Sequence, residues 1–273
     1  MRRSKMKSHS VLCMHIGLVL LFALYHASAI SFDWGGTGDL NFSYDGDASV
    51  YGPHELKLTM GVADAFFHAS SGRIRYAHPI SLCSNTQSSF NTSFTFQMSS
   101  GLANAPAYRG DGIAFFVSSA SPNALPSPPL PSTKGLFGGL FGNSSRRQNK
   151  GPIVFAVEFD SSQESWDSDD NHVGVDIGSV VSSHTASLNA SGIVLNSGRV
   201  IAARIEYLGK EGKLAVYASY VSASGERPVR LLTYRSLSLC SILKGGPAIV
   251  GFSSASRGSV ETHDLLSWTW QSS

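Results

Sequence analysis

The sequence predicts an all-β fold, an antiparallel β-sandwich of the jelly-roll type. Apolar and polar residues alternate in many short runs, helical periodicity is almost absent, and Gly, Ser, Asn and Pro bound the runs. Hydrophobic residues make up 42% of the 273-residue chain, which is enough for one large core. The composition shows no break between domains, so we expect a single domain over residues 30–273.

The first 29 residues have the pattern of a signal peptide. A basic start from Arg2 to Lys7 precedes an apolar segment over residues 11–24 and the small-x-small pattern Ala27-Ser28-Ala29. The apolar segment is short for a bilayer span, and a signal anchor is the alternative. We therefore expect cleavage before Ile30, a secreted, extracellular protein, and no membrane span in the mature chain.

The charge balance changes when this leader is set aside. The chain has 21 basic and 19 acidic residues, and four of the basic ones lie in the first 29 residues. Residues 30–273 therefore carry 17 basic against 19 acidic residues, a net charge of −2. This balance gives no electrostatic support for nucleic-acid binding.

Ten strand-like runs follow one another along the chain. They cover residues 55–60, 90–98, 112–118, 153–160, 172–177, 200–207, 213–220, 229–232, 248–253 and 265–270. Residues 209–212, Gly-Lys-Glu-Gly, predict a hairpin turn between two of them. In the last run, Leu266, Trp268 and Trp270 share one face and are predicted core residues.

A Pro- and Gly-rich segment over residues 119–152 interrupts this order. A loop of this length in a compact domain is usually functional or disordered. The glycines of residues 135–142 permit close backbone approach to a ligand. A ligand-cradling loop and a mobile surface loop are both consistent with this composition.

The run that ends at Asp160 carries the strongest indication of chemistry. Period-2 alternation places Glu158 and Asp160 on the same face of an otherwise apolar strand. Buried carboxylates are costly unless neutralised, and Asp167 and His172 follow within a short loop. Oxygen ligands with one imidazole suit calcium paired with a manganese-like ion. The other interpretation is that groups of the protein itself satisfy the Glu158 and Asp160 carboxylates at the strand end, without a metal ion.

Two further sets of residues predict covalent modification. Cys83 and Cys240 remain after the leader, so an oxidising compartment favours a disulfide, with two buried thiols as the alternative. Four sequons predict N-glycosylation at Asn41, Asn91, Asn143 and Asn189.

Six sequence blocks, in order, resemble the legume-type lectin domain, in the version found on plant lectin receptor-like kinases. The blocks are His78-Pro79-Ile80, Ser93-Phe94-Thr95-Phe96, the segment 110–116, Val157-Glu158-Phe159-Asp160 with the segment 172–176, the segment 250–255, and the segment 263–268. No kinase motif follows them in this sequence. The resemblance implies a metal-braced β-sandwich with a shallow sugar pocket.

The resemblance also implies roles for individual residues. Glu158 and His172 match ligands of the transition metal, and Asp160 and Asp167 match carboxylates that bridge it to calcium. Ser162 and Glu164, in the same loop, complete the predicted set of metal-site residues. Asp111 matches the aspartate that accepts hydrogen bonds from sugar hydroxyls. The other predicted sugar-binding positions are Gly135, Leu136, Glu164, Arg257 and Gly258.

Three positions depart from the family's pattern. Glu164 stands where the family has an asparagine, and a carboxylate cannot donate a hydrogen bond to a sugar. Ser162 stands where the family has an aromatic residue that stacks on the sugar. In the Gly-rich segment 135–141, Leu136 stands where the family has a glycine whose backbone donates a hydrogen bond.

Three functions are consistent with these residues. The first is a secreted, calcium- and manganese-dependent lectin that binds glycans or glycoproteins, in defence or cell-surface signalling. The second is a lectin-like protein that has lost sugar binding and recognises a protein or cell-surface receptor. Both are compatible with a homo-oligomer.

The third function is a glycoside hydrolase. If the strand continued, Glu158 and Glu164 would share a face but stand about 20 Å apart. Retaining hydrolysis needs carboxyl groups about 5 Å apart. We therefore expect no catalytic activity.

Overall fold

In a computed structural model, the chain folds as two antiparallel sheets packed face to face, which confirms the predicted β-sandwich. The structure describes residues 29–35, 41–52, 55–60, 69–83, 88–100, 109–121, 125, 154–223, 227–256 and 261–273. No helix in these ranges has the roughly 20 apolar residues that a bilayer span requires.

Fifteen strands are present in the described residues. They are β1 (Ser31–Trp34), β2 (Phe42–Gly46), β3 (Ser49–Val50), β4 (Leu56–Lys57), β5 (Ser70–Tyr76), β6 (Phe90–Ser99), β7 (Gly112–Ser119), β8 (Val154–Asp160), β9 (His172–Ile177), β10 (His184–Ser187), β11 (Ile201–Leu208), β12 (Lys213–Tyr220), β13 (Val229–Tyr234), β14 (Ala248–Ser256) and β15 (Thr262–Ser272). A four-residue helix, α1 (Leu239–Ile242), and a 3₁₀ turn at Asn189–Ser191 complete the elements.

The strands divide between a seven-stranded and an eight-stranded sheet. The seven-stranded sheet has the order β10-β9-β8-β7-β14-β5-β2. The eight-stranded sheet has the order β13-β12-β11-β6-β15-β4-β3, and β1 pairs with β15. The predicted hairpin is confirmed, because β11 and β12 pair up to Leu208 and Lys213 on either side of residues 209–212.

The two sheets differ in how their strands are buried. In β6 of the eight-stranded sheet, burial alternates strictly, which explains the regular apolar-polar pattern of that run. In β8 of the seven-stranded sheet, all seven residues are buried. Phe155, Val157 and Phe159 face the core between the sheets, whereas Val154 and Ala156 pack in a second cluster on the opposite face.

Aromatic side chains from both sheets fill the core. Phe94 of β6 packs edge-on against Phe252 of β14, with ring centroids 4.8 Å apart. Trp268 of β15 contacts Phe252 at 4.9 Å, and its indole nitrogen donates to Thr92 Oγ1. These contacts pack the eight-stranded sheet against the seven-stranded sheet, which carries the candidate site.

A disulfide joins Cys83 to Cys240 across 157 residues of sequence, which confirms the predicted pair. It connects the segment between β5 and β6 to α1. The alternative of two buried thiols is therefore wrong.

Some predicted boundaries were wrong. Leu266 is only half-buried, and Leu265 takes its place in the core, because a β-bulge between Leu265 and Ser267 reverses the alternation. The run predicted over residues 55–60 forms a strand only at Leu56–Lys57. The sequence pattern did not predict β1, β2, β3, β5 or β10, which are short or polar.

Candidate functional site

The pairing of β8 with β9 brings three predicted metal ligands together. Asp160 lies opposite His172, and Glu158 lies opposite Gly174. One ligand atom from each of Glu158, Asp160 and His172 lies within 4.8 Å of the others, and all three side chains are buried. Adjacent antiparallel strands thus place two carboxylates and one imidazole on one face of the seven-stranded sheet.

Gly174 makes room for this cluster. A Cβ atom at this position would lie 2.2 Å from both Glu158 Oε1 and Ser182 Oγ. Any side chain here would displace the Glu158 carboxylate from the face of β9. The glycine in the run 172–177 is therefore a requirement of the site.

A second ligand group adjoins the first and shares Asp160 with it. Carboxylate oxygens of Asp160, Glu164 and Asp167 lie within 4.8 Å of one another. The loop is folded by its own hydrogen bonds, because the Ser162 amide donates to Asp160 Oδ1 and the Glu164 amide donates to Asp167 Oδ2. The premise of a strand that continues to Glu164 is wrong, since β8 ends at Asp160 and the chain turns back.

Burial and the neighbouring negative charges shift the pKa values of the groups in this cluster. Burial, followed by the charge of Glu158, raises the pKa of Asp160 well above its usual value. Burial also raises the pKa of Asp167. Burial lowers the pKa of His172, but Glu158, the Asp169 carbonyl and the charge of Asp167 together outweigh it, and the net shift is upward. Each shift favours the protonated form of its group, and a bound cation would take the place of that proton.

The imidazole of His172 is held in position by the backbone. Its Nδ1 donates to the carbonyl oxygen of Asp169 at 2.8 Å, and its Nε2 lies 3.4 Å from Glu158 Oε1. Neither His172 Nε2 nor Glu158 Oε2, both buried, has a hydrogen-bond partner in the described part of the chain. A divalent cation binds to an imidazole nitrogen that is held in a fixed orientation and to a carboxylate oxygen that has no other partner. The residues present therefore fit a metal centre.

Asp176 and Ser182 belong to the site although the sequence interpretation missed them. Ser182 Oγ contacts Glu158 Oε1 and lies 2.9 Å from Asp176 Oδ1. Asp176 is completely buried, and burial followed by the charge of Glu158 raises its pKa well above the usual value. The alternation of residues 172, 174 and 176 on β9 was a signal for Asp176, whereas nothing local indicated Ser182.

Asp111, the predicted sugar acceptor, lies at the edge of this cluster. It is 3% exposed, and its charge contributes to the raised pKa of Asp160 after burial and Glu158. Its amide donates to the carbonyl oxygen of Ala255 at 3.0 Å. Arg109, two residues before Asp111, contacts the loop between β8 and β9. It pairs with the Asp170 carboxylate at 3.1 Å and donates to the carbonyl oxygen of Ser161.

A buried polar network supports the same segment from behind. Ser161 Oγ lies 3.1 Å from the carbonyl oxygen of Gly110 and 2.7 Å from Glu261 Oε1. Glu261 also contacts His263 Nε2 at 2.9 Å, and both side chains are fully buried. These contacts join three distant parts of the chain, which explains why sequence spacing gave no indication of them.

The remaining predicted site residues fall into two groups. Gly135, Leu136, Arg257, Gly258, most of the segment 119–152 and the sequon at Asn143 lie outside the described residues. Asn41, Asn91 and Asn189 are exposed. Glycosylation at these positions and the sugar-binding roles stay predictions.

Comparison with known proteins places this arrangement in a family. The family model for the legume lectin domain matches residues 29–273. The chain belongs to the legume lectin domain family.

Several relatives of this legume lectin domain are known. A lectin-related protein of Cladrastis kentukea is 34% identical over 233 residues, which are 83% of this chain and 73% of that protein. A probable L-type lectin-domain containing receptor kinase S.7 of Arabidopsis thaliana is 33% identical over 85% of this chain. The match spans only 33% of the kinase's length.

Solved structures show the same fold. Lectin UEA-II, solved in complex with galactose, has a TM-score of 0.72 and 30% identity. The alignment covers 89% of this chain and 98% of that lectin.

Within this legume lectin domain, two of the three departures from the family's pattern, Ser162 and Glu164, lie in the loop after β8. Ser162 Oγ lies 3.3 Å from Glu164 Oε1, so the two substituted positions contact each other. Trp166 of the same loop is 50% exposed. The surface beside the metal ligands therefore differs in charge and shape from the family's pattern.

Proposed function

We propose that this protein is a carbohydrate-binding lectin whose site requires calcium and a transition metal such as manganese. The observation that carries the proposal is the pair of adjoining ligand groups that share Asp160 and lie beside Asp111. Glu158, Asp160, Asp167 and His172 would hold the ions, with Ser162 and Glu164 completing the shell. Bound cations would neutralise the buried carboxylates and fix the loop between β8 and β9.

Asp111 would recognise the sugar directly. A carboxylate accepts hydrogen bonds from two neighbouring hydroxyl groups, and such charge-assisted bonds are about twice as strong as neutral ones. The backbone bond to Ala255 and the contacts of Arg109 support a fixed position for this carboxylate. Gly135, Leu136, Glu164, Arg257 and Gly258 complete the proposed sugar pocket. The match to the legume lectin domain and to solved lectins supports binding without covalent change to the glycan.

A second function is favoured by the contact between Ser162 and Glu164. Neither residue offers the amide donor or the aromatic ring of the family's pattern. The same surface would then recognise a protein, such as a cell-surface receptor or a second copy of this chain. The metal ligands would act only as a structural brace.

We propose an extracellular location for either function, in the apoplast or cell wall. The predicted signal peptide supports it, and so does the disulfide, which is typical of oxidising compartments. Nucleic acid is not a proposed partner, because residues 30–273 carry a net negative charge.

Calorimetric titration with a panel of neutral plant and microbial glycans tests the lectin proposal. We expect binding to at least one glycan, loss of binding after chelation, and recovery when calcium and manganese are returned. The isosteric variant Asp111→Asn should weaken binding at least about tenfold, since a charge-assisted bond contributes about 1.5–3 kcal/mol. A metal-loaded protein that binds no glycan, yet captures a membrane receptor unaffected by Asp111→Asn, would favour the second function.

A further inference from the structure

A cationic cavity lies where the edges of the two sheets meet. Its volume is about 430 Å³, and it is lined by His184, Lys213, Arg230, Thr233, Tyr234 and Arg235. His184 begins β10, the outermost strand of the seven-stranded sheet, and Arg230 lies in β13, the outermost strand of the eight-stranded sheet. The cavity thus combines side chains that are distant in sequence.

The charge of this cavity is not balanced by its own walls. Lys213, Arg230 and Arg235 contribute three positive charges, and none of the described lining residues is acidic. None of these three cations forms an ion pair with a residue in the described ranges. By contrast, Lys57 contacts both Glu55 and Asp264, and Arg73 contacts Asp45. An unpaired cluster of this kind, in a domain of net negative charge, attracts anions.

The other lining groups suit a sugar better than an inorganic ion. The rings of His184 and Tyr234 lie with centroids 6.4 Å apart, and the Thr233 hydroxyl lines the same cavity. Aromatic faces contact the C–H face of a pyranose, and a hydroxyl bonds to its hydroxyl groups. A phosphate or sulfate ion would use the cations and the hydroxyl groups but would leave the aromatic faces without a contact. Both kinds of contact together match a sugar that carries a carboxylate.

We propose that this cavity is a second glycan-binding site, which takes uronate residues of an acidic oligosaccharide. Arg230 and Arg235 would bind the carboxylates, and Tyr234 would contact the sugar ring. A β-bulge in β13, where Val216 pairs with Leu232 but Tyr217 pairs with Arg230, reorients side chains at this sheet edge.

The site is separate from the one around Asp111. Asp111 directly precedes β7, which is three strands away from β10 in the seven-stranded sheet. At about 4.8 Å between neighbouring strands, the two sites lie roughly 14 Å or more apart. The uronate site therefore does not depend on the sugar chemistry proposed for Asp111.

Binding of a fluorescent oligogalacturonate of about ten residues, measured by polarisation, tests the proposal. We expect the full-length protein to bind it, and the double variant Arg230→Gln/Arg235→Gln to bind at least about tenfold more weakly. The methyl-esterified oligomer has the same sugar rings without the charge, and it should also bind at least about tenfold more weakly. The affinity should fall as NaCl rises, because the contacts are charged and partly exposed.

Two control variants separate this site from general charge and from the first site. Lys244→Gln removes an exposed lysine that does not line the cavity and should leave binding within about twofold. Asp111→Asn should also leave binding within about twofold, because Asp111 lies three strands away. The double variant and Lys244→Gln should keep the wild-type melting temperature, since the altered cations are exposed. Asp111 is buried, so Asp111→Asn is to be confirmed as folded before its binding is measured.

Several results would overturn the proposal. These are failure of the acidic oligomer to bind, equal affinity for the esterified oligomer, and wild-type affinity of the double variant. Equal affinity for a single-stranded DNA oligomer of the same charge would show recognition of bare charge and would overturn the assignment to uronate. Loss of binding in Asp111→Asn alone would assign the oligomer to the first site, so the lectin proposal would stand while this one failed.

Discussion

At the level of single residues, the unusual feature of this protein is the group of carboxylates around β8 and β9, which are largely removed from solvent. Burial, as the first cause, raises the pKa of Asp160, Asp167 and Asp176. A carboxyl group whose pKa is higher in the folded state binds more protons there than in the unfolded chain. Its stabilising contribution is complete below the unfolded pKa of about 3.8 and is lost as pH rises through the folded pKa. Without metal, the cluster should therefore weaken the fold as pH rises towards neutrality.

The variant Asp176→Asn tests this pH dependence of stability in protein treated with a chelator to remove metal ions. At pH 7, removing the buried charge should raise the melting temperature by a few degrees, the shift that about 1 kcal/mol causes in a domain of this size. The gain should shrink towards pH 4, where the wild-type carboxyl group is also protonated. Thermal unfolding at pH 4, 5.5 and 7 in the presence of a chelator measures it. The exposed Asp33→Asn is the control, and a lower melting temperature for Asp176→Asn at pH 7 would contradict the prediction.

At the level of strands and their pairing, the sequence predicted most of the fold and part of the candidate site. Alternation is local, so it predicted β6, β7, β8 and β9 and placed Glu158 with Asp160 on one face. It could not predict β5, whose Arg73 and Arg75 are balanced by Asp45 of β2, because that compensation comes from a distant strand. The contacts of Ser182 and Glu261 were unpredictable for the same reason.

Gly112→Ala tests whether the start of β7 tolerates a side chain. Gly112 has φ of +95°, and an added Cβ would lie 2.1 Å from the carbonyl oxygen of Phe159 in β8. We expect the free energy of unfolding to fall by about 3 kcal/mol or more, from backbone strain and displacement of β8. Urea unfolding of the metal-loaded protein measures it.

Gly35→Ala is the matched control for this substitution. A Cβ there meets no atom of the described residues within 4 Å, so stability should change by less than about 0.5 kcal/mol. Equal stability of the two variants would mean that β7 and β8 are not packed as described.

For the whole molecule, the sandwich is held by its aromatic core and by one long-range covalent bond. The disulfide between Cys83 and Cys240 spans 157 residues. Closing so long a loop lowers the entropy of the unfolded chain. The seven-stranded sheet carries the predicted metal ligands on one face, and the cationic cavity lies where the edges of the two sheets meet.

The double variant Cys83→Ser/Cys240→Ser should unfold more easily. We expect a loss of about 3–5 kcal/mol, or roughly 10 °C in melting temperature. Calorimetry on the variant and on reduced wild-type protein measures the loss, and the two should agree. A variant as stable as the oxidised wild-type protein would contradict a stabilising role for this bond.

In the function proposed above, the candidate site, the loop after β8 and lectin activity all depend on metal binding. Elemental analysis of the protein, purified without chelator and confirmed to be folded, measures it directly. We expect one calcium and one manganese-like ion for each chain, held by the cluster around Asp160. A folded protein that contains neither ion, and that takes up neither when both are supplied, would contradict this central claim.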